Sequence, residues 1–468
     1  MSTMDAIEAG RVVSSPADTR PRPTIGLREA VAVIVGVVIG AGIFKAPSLV
    51  ASLSGGATQM FMLWALGGLI SLIGALCYAE LTTTYPHQGG DYHYLHRAFG
   101  RSVAFLFGWA RFSVITTGSI ALLAFVFGDY MQQAVPLTFL PGDWGSTSYA
   151  VAVIVGLSAL NLRGIRTGTG AQTLLTVTEI LGLLFIVGAA ALFSDPAPAG
   201  AAATTTSVAP DVAALGMAMV FVLLTYGGWN EAAYISAEMR GGPRNMVLAL
   251  TAAIVIITVL YLLVTWAYWK VLGIEGMAAS EAVAADVMQN VFGAPGEKII
   301  SVLVAVSALT SINATMIVGA RTSYAIGLDW KKLGRLAAWN RERGTPTVAM
   351  TVQCVAALAL VAVGAALGSG FKAMVEFTAP VFWLFFLLTG VSLFVLRQRE
   401  PHIPRPFRVP LYPVLPLLFC ASCSYMLWSS LSYVYSQSLG GLNAAWIGVA
   451  VLACGAVLLL VLHSKHDE

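Results

Sequence analysis

Apolar residues occur along this chain in long runs separated by short polar segments, and twelve such runs can be placed. A run of about twenty apolar residues matches the thickness of a bilayer core when it forms a helix. We therefore predict an all-α polytopic membrane protein with about twelve transmembrane helices. The predicted spans cover approximately residues 30–53, 58–84, 101–130, 148–163, 171–193, 211–238, 246–272, 297–326, 346–369, 373–397, 410–433 and 443–462.

Two of these spans contain glycines at a depth where an apolar helix should continue. The first includes the segment 40–44, Gly-Ala-Gly-Ile-Phe, and the sixth includes the segment 226–231, Tyr-Gly-Gly-Trp-Asn-Glu. Glycine in a helix interior costs roughly 1 kcal/mol relative to alanine, and broken backbone at membrane depth must face protein or a cavity. Interrupted helices at corresponding positions of two halves are typical of inverted-repeat transporters with a midplane site. Close helix packing through small residues is the alternative explanation for either segment alone.

The spacing of the two interruptions, five spans apart, predicts how the chain is divided. We assign residues 29–195 to a first repeat of five helices and residues 211–398 to a second repeat with inverted orientation. Residues 409–463 then hold two further helices. Residues 1–28 and 464–468 are predicted to be polar tails, and the first of these lacks the apolar core of a cleavable signal.

Charge and composition support the same class and add an orientation. Of the 468 residues, 57% are hydrophobic and only 10% are charged. With both termini on one side of the membrane, 21 of the 26 Lys and Arg residues fall on that side and three on the other. The positive-inside rule then predicts that both termini are cytosolic. Anionic lipid and topology explain the basic stretch 321–343, so we expect no nucleic-acid partner.

Polar side chains inside apolar spans are costly and tend to face the bundle. Gln172, Thr176 and Glu179 follow helical spacing in the fifth span, so Glu179 is predicted to face inward. A desolvated carboxyl of this kind can carry a proton near neutral pH; a purely structural Glu is the alternative. Arg111 in the third span could pair with Glu179 or with Glu231.

A second polar stripe occurs in the eighth span, where Ser307, Thr310 and Ser311 share one helical face. Their hydroxyls could serve a substrate or Na⁺, or could form only hydrogen bonds between helices. Three further charged residues lie near predicted span ends, where a gate and an interfacial anchor are equally open: Glu80, Glu238 and Arg321.

Several other activities are disfavoured. His93 and His96 have a spacing that can hold a metal on a helix, but no third ligand is in view, so we expect no metal site. The chain has no GxxxxGK[ST] loop for ATP, and no nucleophile, base and orienting group occur together, so we expect neither a cofactor nor an enzyme. All five cysteines fall in apolar runs and are interpreted as packing residues: Cys77, Cys354, Cys420, Cys423 and Cys454.

Four groups of residues in the first eight spans resemble the amino acid-polyamine-organocation family of permeases. The similarity is greatest to its L-amino-acid-transporter-like bacterial members, and it covers most of the chain. The segments that carry it are 36–44, 78–81 followed by 89–100, 226–238 and 313–321. The resemblance implies the leucine-transporter-type fold, a 5+5 inverted repeat with discontinuous helices 1 and 6 and two extra helices.

The resemblance also implies where a substrate binds. Its α-carboxylate would meet the amides of Ala41 and Gly42, its α-ammonium would meet carbonyls near Val38 and Tyr226, and Trp229 would be a gate or pocket wall. The substrate-binding residues expected on this basis are Val38, Gly40, Ala41, Gly42, Ile43, Tyr226, Gly227, Gly228, Trp229 and Asn230.

This chain departs from the family pattern in three respects. Many relatives have Ser at the position of Ala41, so only the backbone amide can serve a carboxylate here. Several relatives have Lys at the position of Glu179, so their coupling mechanism cannot be transferred. Animal members are bonded to a heavy chain through an outer-loop cysteine, and this chain has none there, so we expect no disulfide-linked partner.

These observations favour a secondary active transporter of neutral L-amino acids that works by alternating access. Coupling to H⁺ or operation as an exchanger both fit, and Na⁺ stays open; Glu179, Ser307, Thr310 and Ser311 are the expected coupling residues. Because Glu231 lies beside the second interruption, a permease for cationic amino acids or polyamines is the alternative. A sensor that binds an amino acid without net transport is the third hypothesis.

Overall fold

The protein is helical throughout the part that can be described. A computed structural model describes residues 26–87, 89–141, 144–164, 169–193, 212–231, 239–340, 345–368, 370–436 and 444–463. Across these ranges the chain forms fifteen α-helices and no β-strand. They are α1 Leu27–Val38, α2 Ala46–Leu53, α3 Ala57–Thr84, α4 Gly90–Phe99, α5 Arg101–Ala110, α6 Thr117–Ala134, α7 Trp144–Leu162, α8 Thr169–Phe193, α9 Val212–Thr225, α10 Gly242–Ala279, α11 Val283–Asp329, α12 Thr347–Ala366, α13 Gly370–Arg399, α14 Val414–Ser436 and α15 Ala444–His463.

Helix length and hydrophobicity agree with the predicted class. Among the described residues, eight stretches are long and apolar enough to cross a membrane: α3, α5 with α6, α7, α10, α11, α12, α13 and α14. Shorter apolar helices occupy residues 177–193, 212–225 and 445–461. The chain is therefore a multi-pass membrane protein.

Both predicted interruptions are present. The first span is divided into α1, a short turn of 3-10 helix at Ala41–Phe44, and α2. In the sixth, α9 ends at Thr225 and a 3-10 turn follows at Trp229–Glu231. The remainder of that predicted span, 232–238, lies outside the described residues, and so does Glu238.

Two helices continue beyond the membrane spans that the sequence predicts. α10 bends at Gly273 and α11 bends at Gly293, and both glycines have a left-handed φ of +69°. The predicted apolar spans 246–272 and 297–326 lie wholly on one side of these bends. The extra helical residues, 274–279 and 283–292, therefore belong to the connection between the two spans.

The bundle has two ends, which we call the N-terminal face, where α1 begins, and the opposite face. At the N-terminal face Glu80 of α3 is 2% exposed. Its carboxylate accepts three hydrogen bonds and forms a further ion pair. Arg397 of α13 donates to both carboxylate oxygens at 2.7 and 2.5 Å, and Arg405 lies 3.5 Å away. The Val409 N–H donates at 2.7 Å. This arrangement ties α3 to the α13–α14 connection and makes Glu80 an anchor.

At the opposite face a buried lysine joins three parts of the chain. Lys45, which immediately precedes α2, places its Nζ 2.9 Å from Asp129 Oδ2 in α6 and 2.6 Å from Glu281 Oε2. The same ammonium donates to the Glu281 carbonyl oxygen at 2.6 Å, and the Ser146 hydroxyl donates to Asp129 at 2.5 Å. The start of α2 is thereby held against the end of α6 and the α10–α11 connection.

Candidate functional site

The first interruption is buried in the bundle, and its polar groups are backbone N–H and C=O groups rather than side chains. Val38 is the last residue of α1, and Gly40 has an extended backbone, with φ −128° and ψ −168°. The side chains of Ala41 and Ile43 are fully buried. The first N–H groups of a helix lack acceptors within that helix, so the turn offers N–H groups of Ala41 and Gly42 beside the last carbonyls of α1.

The second interruption packs directly against the first. Gly228 has φ +109°, and a Cβ added there would lie 3.1 Å from the Val37 carbonyl oxygen of α1. A Cβ added at Gly42 would in turn lie 3.4 Å from the side chain of Thr225, the last residue of α9. The Gly227 N–H donates to the Leu224 carbonyl at 3.0 Å, which closes α9. Glycine is therefore required at 228 both for its backbone conformation and for close approach.

Tyr261 of α10 connects the two interruptions, although sequence analysis did not select it. Its hydroxyl lies 3.0 Å from the Val38 carbonyl oxygen and 3.1 Å from the Thr225 carbonyl oxygen, so one O–H is shared between the ends of α1 and α9. Tyr261 is fully buried. Its ring packs on Tyr226 at 5.1 Å and on Trp64 at 5.8 Å between centroids. The only sequence signal was a tyrosine inside an aliphatic span.

An aromatic wall lies beside the second interruption. Trp229 is 4% exposed and contacts the rings of Tyr78, at 5.1 Å between centroids, and Phe386, at 5.8 Å. Both contacts are edge-to-face, an arrangement that stabilises aromatic pairs. In this conformation Trp229 is therefore part of a packed wall.

Asp91 of α4 approaches the same region from the N-terminal face. It is 3% exposed and lies against Tyr78 and Asn230, with Arg111 nearby. Burial raises the pKa of the Asp91 carboxyl to about 6, while the neighbouring Tyr78 hydroxyl and the Arg111 charge oppose the shift. The α4 helix, which lies between the second and third predicted spans, therefore contributes a buried acid next to Asn230.

Arg111 pairs with Glu231, which decides between the two partners that the sequence left open. One guanidinium nitrogen of Arg111 lies 3.1 and 3.2 Å from the two carboxylate oxygens of Glu231. Arg111 begins a π-helical segment, Arg111–Thr116, between α5 and α6. Single π-helical turns within α-helices are frequent at functional sites. The side chain of Arg111 is 12% exposed and that of Glu231 is 36% exposed.

Glu179 faces α11 inside the bundle, where it accepts a hydrogen bond from the Ser307 hydroxyl. It is 6% exposed and Ser307 is 1% exposed. The side chains of Gln172 and Thr176, which completed the predicted stripe, lie outside the described residues. Glu179 and Ser307 also line a largely aliphatic groove between α8 and α11, together with Thr178, Ile299, Val302, Leu303 and Val306.

The polar stripe on α11 extends from Glu179 to the first interruption. Ser311 is one helical turn from Ser307 on the same face, and a Cβ added at Gly40 would lie 4.0 Å from the Ser311 hydroxyl oxygen. The Thr310 hydroxyl instead donates to the Ser307 carbonyl at 2.8 Å within its own helix. Ser307 and Ser311 therefore lie on the face of α11 between Glu179 and the first interruption.

Other candidate chemistry lies apart from this region. His93 stacks on His87 with ring centroids 4.1 Å apart. Within the described ranges, no group of three or more His, Cys, Asp or Glu residues could hold a metal ion. The five cysteines are not paired with one another.

Comparison with known proteins places the whole arrangement in a family. The model of the family described as "Amino acid permease" matches residues 25–461. The b(0,+)-type amino acid transporter 1 of Homo sapiens is 29% identical over 404 residues, which is 86% of this chain and 81% of the relative. The large neutral amino acids transporter small subunit 2 of Oryctolagus cuniculus is 30% identical over 415 residues, with 86% and 76% covered.

The family match covers almost all of the described residues, including both interruptions, Tyr261 and the Glu179–Ser307 pair. Its relatives are transporters rather than enzymes. The protein belongs to the amino acid permease family.

Proposed function

We propose that this protein is a secondary active transporter that moves neutral L-amino acids across the membrane by alternating access. The observation that carries the proposal is the direct apposition of the two interrupted helices. Gly228 packs against Val37, Gly42 packs against Thr225, and Tyr261 joins the two helix ends. Movement of either half-helix would therefore change the site.

The backbone polarity of the interruptions suits an α-amino acid. A substrate carboxylate would accept hydrogen bonds from the N–H groups of Ala41 and Gly42, at the positive end of the second half-helix. The ammonium would donate to the Tyr226 carbonyl and to the Val38 carbonyl, which has a second lone pair beside the Tyr261 hydrogen bond. The Trp229 wall would contact the substrate side chain.

Neutral side chains are favoured over cationic ones because Glu231 already has a partner. The cationic alternative required an unneutralised carboxylate near the second interruption, and Arg111 lies 3.1 Å from that carboxylate. The names of the matching relatives do not separate the two classes, because four specify large neutral amino acids and four specify b(0,+)-type amino acid transport; the choice of neutral side chains therefore rests on the Arg111–Glu231 pair.

For coupling we propose a proton carried by Glu179. A buried carboxyl can exchange a proton near neutral pH, and the Ser307–Ser311 face leads from it to Gly40. Exchange without a proton is the competing mode. Na⁺ coupling is the other competing mode, because the Thr310 hydroxyl donates within α11 and keeps its oxygen lone pairs for a cation.

The proposed architecture consists of two inverted repeats, 29–195 and 211–398, with two additional helices in 409–463. We place the protein in a bacterial inner membrane with the tails 1–28 and 464–468 in the cytosol. The bias of Lys and Arg toward that side supports this orientation. No disulfide-linked heavy chain is included in the proposal.

Uptake into liposomes tests the transport proposal. Purified protein is reconstituted, and uptake of labelled leucine is measured with and without an inward proton gradient and with and without internal leucine. Accumulation driven by the gradient supports proton symport, and uptake that needs internal leucine supports exchange. Binding of leucine without uptake under any condition would replace the transporter proposal with the sensor.

Glu179→Gln tests the coupling residue. An amide cannot exchange the proton, so we expect gradient-driven accumulation to be lost while exchange of internal for external leucine continues. Glu376→Gln is the matched control, because Glu376 is another carboxyl within a span, paired with Lys372 at 3.9 Å. Proton-driven accumulation that is unchanged in Glu179→Gln would assign Glu179 to a structural role.

A further inference from the structure

We propose that Arg111 determines substrate specificity by neutralising Glu231, so that the site rejects side chains with a positive charge. This inference rests on the proposed transport of neutral amino acids and assigns the selectivity to one ion pair. It predicts that an isosteric neutral compound is accepted where arginine is refused.

The position of Glu231 places its charge at the second interruption. Its backbone N–H donates to the Gly228 carbonyl at 3.0 Å, so Glu231 belongs to the same turn as the glycine that touches α1. The carboxylate is 36% exposed, whereas its partner Arg111 is 12% exposed. The acid is therefore the more accessible member of the pair.

The charges around the Arg111–Glu231 pair make Arg111 the group that determines whether a cationic side chain is accepted. Its nitrogen is almost equidistant from both oxygens of Glu231, at 3.1 and 3.2 Å, and Asp91 is a second acid close enough to feel its charge. With Arg111 in place, a cationic side chain near Glu231 meets a neutral pair and a like charge. Without Arg111, the same side chain would meet one or two uncompensated acids.

Arg111 is positioned by the π-helical segment between α5 and α6. Arg111 is the first residue of that segment, and its pairing with Glu231 is a contact between the third and sixth predicted spans. An ion pair with a purely structural role between these spans would stabilise the protein without affecting its preference for substrate charge. Selectivity between two ligands of the same shape therefore separates the two roles.

The first measurement uses the unmodified protein. Arginine and citrulline have nearly the same length and shape but differ in charge, and each is tested for its ability to stabilise the purified protein against heat. We expect citrulline to stabilise and arginine to have little effect. Equal effects of the two compounds, or rejection of both, would overturn the inference, because charge would then not be the criterion.

The second measurement uses variants in the same assay. Arg111→Gln should acquire arginine binding, with a dissociation constant at least about tenfold lower than that of the unmodified protein, as expected for one uncompensated charge. Arg111→Gln with Glu231→Gln should lose that gain, and Arg111→Lys should continue to reject arginine. Arg97→Gln is the matched control, since it breaks another Arg–Glu pair, with Glu400 at 2.8 Å, away from the site.

The outcomes distinguish this inference from the proposed function. If Arg111→Gln binds citrulline but not arginine, or if Arg97→Gln gains arginine to the same extent, the specificity role of Arg111 is wrong. If Arg111→Gln does not fold, the comparison of arginine with citrulline on the unmodified protein still tests whether the site rejects a positively charged side chain. Absence of leucine uptake in liposomes would instead refute transport and leave the binding comparison intact.

Discussion

Gly228→Ala is the substitution whose cost the structure defines most directly. The backbone at Gly228 has φ +109°, a conformation that residues with a Cβ rarely adopt. The added methyl would also lie 3.1 Å from the Val37 carbonyl oxygen and 3.1 Å from the Val37 Cγ1 atom. The exposed Val37 side chain can rotate away, but its carbonyl can move only if α1 moves.

The expected magnitude follows from these two contributions. Backbone strain in a sparsely populated region costs of order 1–3 kcal/mol, and overpacking a close contact costs typically 1–3 kcal/mol. Loss of glycine flexibility in the unfolded chain offsets roughly 0.4–1 kcal/mol. We therefore expect a net destabilisation of about 1–6 kcal/mol, together with weaker leucine binding because α1 and the second interruption are forced apart.

The assay compares thermal unfolding and leucine-induced stabilisation of the purified variant with a matched control. Gly188→Ala is that control, because Gly188 lies within α8 and nothing is within 4 Å of an added Cβ. We expect the control to be neutral or stabilised by up to about 1 kcal/mol. If Gly228→Ala unfolds at the same temperature as Gly188→Ala and binds leucine equally well, the two interruptions are not in the close contact described above.

Two further predictions concern buried polar groups. Tyr261→Phe should destabilise the protein by about 1–3 kcal/mol because the carbonyls of Val38 and Thr225 lose their shared donor. The control Tyr149→Phe, which removes an exposed hydroxyl, should cost less than about 1 kcal/mol. Equal melting temperatures of the two variants would contradict the bridging role of Tyr261. The raised pKa of Asp91 favours the protonated folded state, so its contribution to stability should fall as pH rises from about 4 to about 6, by up to ~3 kcal/mol, and stay constant above. Asp91→Asn should remove this loss, and parallel pH profiles of unfolding would show that the acid is not buried.

The interruptions and the spans could be predicted because their signals are local. Long apolar runs identify helices that cross a membrane, and glycines within such a run identify where a helix fails. The bends at Gly273 and Gly293 also fall close to the predicted ends of spans, at 272 and 297. These features depend on residues next to one another in sequence, so periodicity and composition detect them.

The partner of Arg111 could not be predicted, since it depends on the phase of a helix that is not regular. A π-helical turn accommodates an additional residue, so the face of α6 cannot be extrapolated from that of α5 across Arg111–Thr116. Both Glu179 and Glu231 were then compatible with the sequence. The structure separates them because Glu179 faces Ser307 on α11 instead.

Tyr261 was missed for a different reason. Its hydroxyl is bonded to main-chain carbonyls, which every residue carries, so no pattern of side chains indicates the contact. A tyrosine among aliphatic residues has the same appearance whether it fills space or connects two helix ends. Its role follows only from the three-dimensional structure, in which the ends of α1 and α9 lie beside its hydroxyl.

The lysine cluster at the opposite face has a consequence for the effect of salt. Lys45 is bonded to Asp129, which is 20% exposed, and to Glu281, which is 83% exposed. Ions in solution screen an exposed pair strongly and a buried pair weakly. Rising ionic strength on that side should therefore weaken the ion pair with the Glu281 carboxylate, while the pair with Asp129 and the hydrogen bond to the Glu281 carbonyl oxygen persist. The contacts of one ammonium would then respond separately to the medium.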